Sequence, residues 1–124
     1  MNELLHDALV EFLTKTMSAH VGIANPISTR ELDGLAALRF PWEKNINRKW
    51  RMIMEDETLV INGRRERVCS VGHGYFVPAN DQEAARAARF LTSYIAALAH
   101  RRKGIYEAYP DARQGELPGT GSAA

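Results

Sequence analysis

The chain has 124 residues, of which 45% are hydrophobic and 25% are charged, a length and composition that suit one globular core and exclude two. Its formal net charge is +1, so no general excess of positive charge points to nucleic acid, and any such function has to depend on where the charges lie. The single cysteine, Cys69, excludes an intrachain disulfide and favours a reducing environment such as the cytoplasm.

Two helices are predicted in the first forty residues. Apolar residues recur at helical spacing over residues 2–18, which predicts the first helix. Ser28 or Thr29 can cap a second helix over residues 29–38, and Glu31 is placed to reach back to that cap.

A third helix follows a break in the chain. Pro41 has no N–H to donate and ends the second helix, so a turn is expected over residues 40–43. Asn45 or Asn47 can then cap a helix over residues 45–55. The apolar residues that share one face of this helix are Ile46, Trp50, Ile53 and Met54.

The other face of the third helix is basic. Its cationic and amide side chains, together with the lysine just before it, are Lys44, Asn47, Arg48, Lys49 and Arg51. Arginine can take two acceptors on a guanine edge, asparagine can pair with adenine and lysine can neutralise a phosphate, so this composition suits a helix in a major groove. The alternative is an ordinary solvated face, balanced by Glu43 and by the acidic run 55–57. Both tryptophans, Trp42 and Trp50, are assigned to the core rather than to stacking on bases.

Two β signals come next. Residues 59–61 are β-prone and end at the turn dipeptide Asn62-Gly63. Over residues 67–78, glycines that tolerate positive φ lie between valine, tyrosine and phenylalanine, which predicts a small hairpin, or wing. The basic side chains before this wing and at its tip are Arg64, Arg65, Arg67 and His73. They suit contact with a phosphate backbone, or else they protect an edge strand from pairing with another chain.

The last predicted element is a long helix. Asn80 followed by Glu83 resembles another cap, and apolar residues continue at helical spacing to about residue 103. Phe90, Tyr94 and Ala97 lie off the main apolar stripe, so a second face needs a partner. Either the helix forms a homodimer seam, or it is completely buried against the first helix.

The remaining features narrow the class of protein. The composition beyond Pro110 predicts a disordered tail over residues 110–124, after a domain of residues 1–109. No stretch is apolar enough for a membrane span or an export signal, so a soluble protein without a membrane partner is expected. Cys69 and His73 lack a third orienting group for catalysis, and nothing in the sequence indicates a cofactor or a metal.

This order of elements resembles the small winged-helix proteins that recur in bacterial prophages and their hosts. The motifs of the resemblance, spread between residues 9 and 102, are Ile27-Ser28-Thr29-Arg30-Glu31-Leu32, the basic helix, Val68-Cys69-Ser70 and Gly74-Tyr75-Phe76-Val77. It implies a mostly helical α+β fold, a winged helix-turn-helix in which residues 29–38 form the first helix and residues 45–55 the recognition helix. It also implies a role in phage gene regulation or replication inside the bacterial cell. The turn over residues 40–47 is longer and bulkier than in that family.

Two hypotheses for function follow. In the first, the protein is a non-enzymatic, double-stranded DNA-binding protein in which Asn47, Arg48 and Arg51 face base edges and the remaining cations contact phosphates. In the second, it is a phage-encoded module that binds a host protein and blocks or adapts a nucleoprotein complex. The near-neutral charge and the second apolar face of the last helix motivate the second hypothesis.

Overall fold

The computed structural model describes residues 1–72 and 74–112, and over these residues the fold is mostly helical with a small β part, as the sequence predicts. In chain order the elements are α1 (Glu3–Met17), α2 (Thr29–Arg39), α3 (Ile46–Asp56), β1 (Leu59–Ile61), β2 (Arg64–Glu66), β3 (Cys69–Ser70), β4 (Tyr75–Phe76) and α4 (Asp81–Ala108). His73 and residues 113–124, which include most of the predicted tail, lie outside the described residues. Residues 110–112 form a 3₁₀ turn.

The chain divides into two compact units, Met1–Ala87 and Ala88–Ala124. The first contains the three N-terminal helices, both hairpins and the first turns of α4. The described part of the second is the rest of α4 and the short 3₁₀ turn that follows it. No helix in the described ranges combines the length and apolarity needed to cross a membrane.

Local capping chemistry sets the start of α1 and α2. Asn2 accepts the backbone N–H of Leu5 at 2.8 Å through its side-chain oxygen. Ser28, rather than Thr29, caps α2: its hydroxyl oxygen accepts the Glu31 N–H at 3.1 Å and donates to the Glu31 carboxylate at 3.3 Å. These bonds satisfy N–H groups that have no partner within the helix.

The start of α3 differs from the prediction. Asn45 occupies the N-cap position, but its backbone is left-handed, with φ of 57°, and its side chain makes no capping hydrogen bond. The helix begins at Ile46, whose side chain is buried. Asparagine tolerates left-handed geometry better than most residues. At this position it therefore supplies the left-handed backbone that leads into the helix, and not a side-chain cap.

The β part consists of two antiparallel hairpins rather than one wing. In the first, Leu59 pairs with Glu66, and the turn residues Asn62 and Gly63 both have positive φ, at 53° and 78°. This geometry matches a type I′ turn, whose twist suits a two-residue hairpin. In the second hairpin, Cys69 pairs with Phe76. The arginines of residues 64–67 therefore lie on and just after the first hairpin, one step earlier than the predicted wing.

The second hairpin is bonded to the segment between α1 and α2. Ile27 and Tyr75 exchange two backbone hydrogen bonds, of 2.9 and 2.8 Å. Val77 donates to the His20 carbonyl at 2.9 Å and accepts from Gly22 at 2.8 Å. The chain before α2 thus makes two isolated bridges, parallel at Val21 and antiparallel at Ile27, which fix the second hairpin to the helical core.

One hydrophobic core lies within the first unit. Its buried residues come from α1, α2, α3, β1 and the chain beside β4: Leu9, Leu13, Met17, Ile27, Leu32, Ala36, Phe40, Ile46, Trp50, Ile53, Met54, Leu59, Ile61 and Val77. Phe12 packs edge-to-face on Phe40, with ring centroids 5.8 Å apart, and Trp50 packs in the same way on Tyr75 at 5.5 Å. Such aromatic pairs stabilise the fold by more than the area they bury accounts for.

The long helix α4 begins at the predicted cap, because Asn80 accepts the Glu83 N–H at 2.9 Å through its side chain. The Glu83 carboxylate in turn accepts the N–H groups of Ile23 and Ala79. Ala87 is its only buried residue among those described, so the alternative of a completely buried helix is wrong. Its remaining apolar side chains are accessible to solvent.

An ion pair joins α1 to the end of α3. His6 Nε2 lies 2.8 and 2.7 Å from the two carboxylate oxygens of Glu57. The hydrogen bond to Glu57 raises the pKa of His6 above its ordinary value of 6.5, against the smaller opposing effect of burial. Because the folded-state pKa is raised, this pair stabilises the fold fully below about pH 6.5 and less as the pH rises through the raised value.

We therefore expect His6→Gln to lower the free energy of unfolding at pH 5.5 by less than about 1 kcal/mol, because water screens this partly exposed pair, and by still less at pH 9. Urea unfolding of both chains at the two pH values measures this. His100→Gln replaces an exposed histidine of α4 and is expected to be neutral at both. An equal loss for His6→Gln at pH 5.5 and pH 9 would show that the ion pair has no part in stability.

Candidate nucleic-acid interface

The helix α3 presents one buried face and one exposed face, as its sequence predicts. Trp50, Ile53 and Met54 are buried in the core, which confirms the position of Trp50. Asn47 and Arg48 lie on the exposed face. The apolar stripe therefore fixes the rotation of α3 and decides which of its polar side chains reach solvent.

Arg51 is held by α2. Its Nη2 donates to Asp33 Oδ2 at 2.9 Å, while Asp33 Oδ1 accepts the indole N–H of Trp50 at 3.0 Å. The guanidinium carbon also lies 5.4 Å from the centre of the Trp50 ring, within cation–π distance. One carboxylate thus binds two consecutive residues of α3 and joins the two helices at their crossing.

Lys49 is likewise paired. Its Nζ lies 3.4 Å from Glu43 Oε2, and only 27% of either side chain is exposed. These pairs agree with the alternative interpretation, in which acidic side chains balance the charge of the basic face. The acidic residues that do so are Glu43 and Asp33, and not those of the run 55–57. Within that run, the carboxylate of Glu57 binds His6 instead.

Three cations and one amide of the predicted site are available to a ligand. The side chains of Lys44, Asn47, Arg48 and Arg65 are exposed and make no hydrogen bond or ion pair with any part of the chain that the structure describes. Asn47 and Arg48 lie in the first turn of α3, Lys44 lies just before the helix, and Arg65 lies on β2. The sequence-predicted set of five side chains around α3 therefore separates into a free group at its start and a paired group of Lys49 and Arg51.

One of the arginines after β1, Arg67, lies at the other end of α3. Arg67 donates from Nη2 to the backbone carbonyl of Glu55, in the last turn of the helix. A cation at a helix C-terminus satisfies a carbonyl that lacks an N–H partner and interacts favourably with the helix dipole. Arg64 lies 3.7 Å from Glu66 and is 79% exposed, so this pair leaves the guanidinium accessible. The contact of Arg67 fixes the segment of residues 64–67 beside the end of α3.

The prediction that Trp42 belongs to the core is wrong, because its side chain is 70% exposed. Phe40 and Ile46, on either side of the turn, take the interior positions and leave the residues between them outside. Leu38, near the end of α2, is 81% exposed. An exposed tryptophan and leucine so close in sequence are typical of a surface that meets another molecule.

Two titratable groups of the second hairpin, Tyr75 and Cys69, have raised pKa values. Burial raises the pKa of the Tyr75 phenol, and the negative charge of Glu55 acts in the same direction. Burial also raises the pKa of the Cys69 thiol, whose sulfur donates to the Arg67 carbonyl at 3.4 Å. A raised pKa disfavours the thiolate, which is the nucleophilic form.

Asp33 is the site residue that sequence reasoning missed. It looks like an ordinary exposed acid within α2, and its partners lie 17 and 18 positions further on. Since its partners are on another helix, no local spacing indicates the pairing. Comparisons with family models, with curated proteins and with solved structures found nothing that matches this chain.

Proposed function

We propose that the protein is a non-enzymatic winged helix-turn-helix protein that binds double-stranded DNA, with α2 and α3 as the helix-turn-helix and the hairpins as the wing. The order of elements supports this: three helices precede two hairpins, and β4 bonds back to the chain before α2. The observation that carries the proposal is the free group Lys44, Asn47 and Arg48 at the start of α3. The first residues of a recognition helix are those that reach base edges.

The roles of the side chains follow from their partners. Asn47 and Arg48 face bases, while Lys44, Arg64 and Arg65 contact phosphates. Lys49, Arg51 and Arg67 are paired within the protein: Lys49 with the turn before α3, Arg51 with α2, and Arg67 with the last turn of α3. The exposed carboxylates of Glu55 and Asp56 lower the positive potential near the end of α3, so the helix itself meets DNA through its start, while Arg64 and Arg65 add phosphate contacts from the first hairpin.

The resemblance to winged-helix proteins of prophages supports a biological role in gene regulation or replication in the bacterial cytoplasm. The pattern from Ile27 to Leu32 corresponds to a capped α2, and Gly74 to Val77 corresponds to β4 and its glycine. Both motifs are thus bound to each other through the Ile27–Tyr75 bridge.

The test is a titration of a random-sequence DNA duplex at several salt concentrations, followed by fluorescence anisotropy. Wild-type protein should bind with a dissociation constant of about 10⁻⁴ to 10⁻⁶ M at physiological salt, as non-specific binding does. Lys44→Ala/Arg65→Ala should flatten the log–log salt dependence by about two units, since each phosphate contact contributes nearly one.

The matched control is Lys15→Ala/Arg86→Ala, which removes the same charge from exposed positions outside the proposed interface. It should keep the wild-type salt dependence. If both double variants flatten the salt dependence equally, binding depends on the overall charge of the protein and not on the proposed interface. A wild-type protein without salt-dependent affinity for duplex DNA overturns the proposal.

The exposed Trp42 and Leu38 favour a second candidate function, in which this surface binds a host protein. Solvent-exposed tryptophan is among the side chains that dominate the energy of protein interfaces. Pull-down from nuclease-treated bacterial lysate, with wild type and Trp42→Ala side by side, distinguishes the two. A partner that only the wild type retains, together with no affinity for DNA, favours the protein-binding module. A partner lost on nuclease treatment contradicts it.

A further inference from the structure

The part of α4 within the second unit exposes large apolar side chains over its whole length. Leu91, Ile95, Leu98 and Ile105 are between 43% and 64% exposed. Stable helices in water owe most of their stability to packing of an apolar face, and short isolated helices are marginal. We therefore expect a partner to cover this apolar face of α4.

The exposed residues follow a regular repeat. Leu91, Ile95, Leu98, Arg102 and Ile105 are separated by four, three, four and three positions, and we call this set the α4 stripe. Alternation of four and three is the spacing that keeps one seam of a helix facing another helix in a coiled coil. Leucine, isoleucine and leucine in succession are typical of the two alternating core positions of such a seam.

The residues beside and behind the α4 stripe are consistent with close helix pairing. Thr92 and Ala99 flank it with small side chains, which let a second helix approach. Lys103 and Glu107 lie away from the stripe and pair with each other at 3.9 Å, one helical turn apart. Among the charged residues of 88–108, only Arg102 belongs to the α4 stripe.

We propose that α4 pairs with α4 of a second copy of this chain through the α4 stripe, forming a coiled-coil homodimer. This inference is independent of DNA binding. A seven-residue repeat is self-complementary, because an identical helix offers the same knobs and the same holes. Residues 88–108 extend over about 30 Å of helix, and the α4 stripe occupies 15 of these 21 residues.

Charge argues against an anionic lipid surface as the occupant. Helices that lie on membranes carry lysine and arginine along the whole polar face. Between Arg89 and Arg101, α4 has no cation. Arg102 also interrupts the apolar stripe itself, where a membrane-bound helix would present hydrocarbon. A single charged residue at a seam position is instead a known way in which coiled coils fix register, with a loss of stability.

The first test measures the mass of the full chain by sedimentation equilibrium over a range of micromolar concentrations. The wild type should approach twice its 13.9 kDa as concentration rises. Leu98→Glu should weaken the dimer by more than about 100-fold, since it places a charge in the seam. Ala97→Glu introduces the same charge at the neighbouring exposed position, away from the stripe, and should leave the dimer intact.

A second pair of variants gains rather than loses affinity, so it does not depend on a damaged fold. Arg102→Leu completes the apolar stripe and should tighten the dimer by about tenfold or more. Lys103→Leu adds the same side chain beside the stripe and should not. A wild type and an Arg102→Leu variant that both stay monomeric overturn the proposal. So does a monomer that binds phosphatidylserine vesicles through Leu98, because the occupant is then a membrane.

Discussion

Gly74→Ala is expected to cost about 3–4 kcal/mol of the free energy of unfolding, the largest effect of any single substitution considered. The φ of Gly74 is 143°, a conformation that residues with a side chain rarely adopt. An added Cβ would also lie 2.8 Å from the carbonyl carbon of Ile27 and closer still to its oxygen. Because that carbonyl accepts the Tyr75 N–H, the chain cannot relax without losing the bridge between β4 and the segment before α2.

Two other glycines provide matched controls for the urea-unfolding measurement. Gly63 has φ of 78° but open space around its Cα, so Gly63→Ala should cost only the conformational strain, about 1 kcal/mol. Gly34 lies within α2 with nothing near it, so Gly34→Ala should stabilise by up to about 1 kcal/mol. A Gly74→Ala variant no less stable than Gly63→Ala would mean that the contact with Ile27 does not constrain the fold.

Asp33 substitutions are expected to move stability and DNA affinity in opposite directions. Asp33→Ala leaves the Trp50 indole N–H and the Arg51 guanidinium without their acceptor and should lower the free energy of unfolding by about 2 kcal/mol. Asp33→Asn keeps an oxygen for Trp50 and should cost about half as much. Both release Arg51 towards the proposed interface and remove a negative charge, so both should bind duplex DNA several-fold more tightly at low salt.

Asp56→Ala separates the effect of charge from the release of Arg51. Asp56 is exposed and makes no ion pair within the described residues, so the substitution removes one charge near α3 and should change stability by less than about 0.5 kcal/mol. Urea unfolding and anisotropy titrations of the three variants in the same buffer show whether a gain in DNA affinity comes from the lost negative charge or from the release of Arg51. If Asp33→Asn binds DNA no better than Asp56→Ala, freeing Arg51 adds nothing to the interface.

Features that depend on neighbouring residues could be predicted from the sequence. The caps of α2 and α4, at Ser28 and Asn80, follow from side chains that reach N–H groups three positions away. The turn at Asn62 and Gly63 follows from their tolerance of positive φ. The buried face of α3 follows from apolar spacing alone.

Features that depend on how elements meet could not be predicted. Which cations of α3 stay free is decided by carboxylates on α2 and in the turn before α3, and the crossing of two helices has no local signal. Trp42 was misplaced because apolarity indicates burial only on average, whereas Phe40 and Ile46 already fill the interior beside it. The long helix α4 was predicted, but sequence periodicity left open whether its faces were covered.

The bridge between Ile27 and Tyr75 has a consequence for how the molecule folds. The two residues are far apart in the chain, so a long loop has to close before their hydrogen bonds can form. Contacts of such high sequence separation slow folding relative to the local contacts of helices. During synthesis, α1 to α3 can therefore become helical early, but the polypeptide has to leave the ribosome well beyond Tyr75 before this last contact closes.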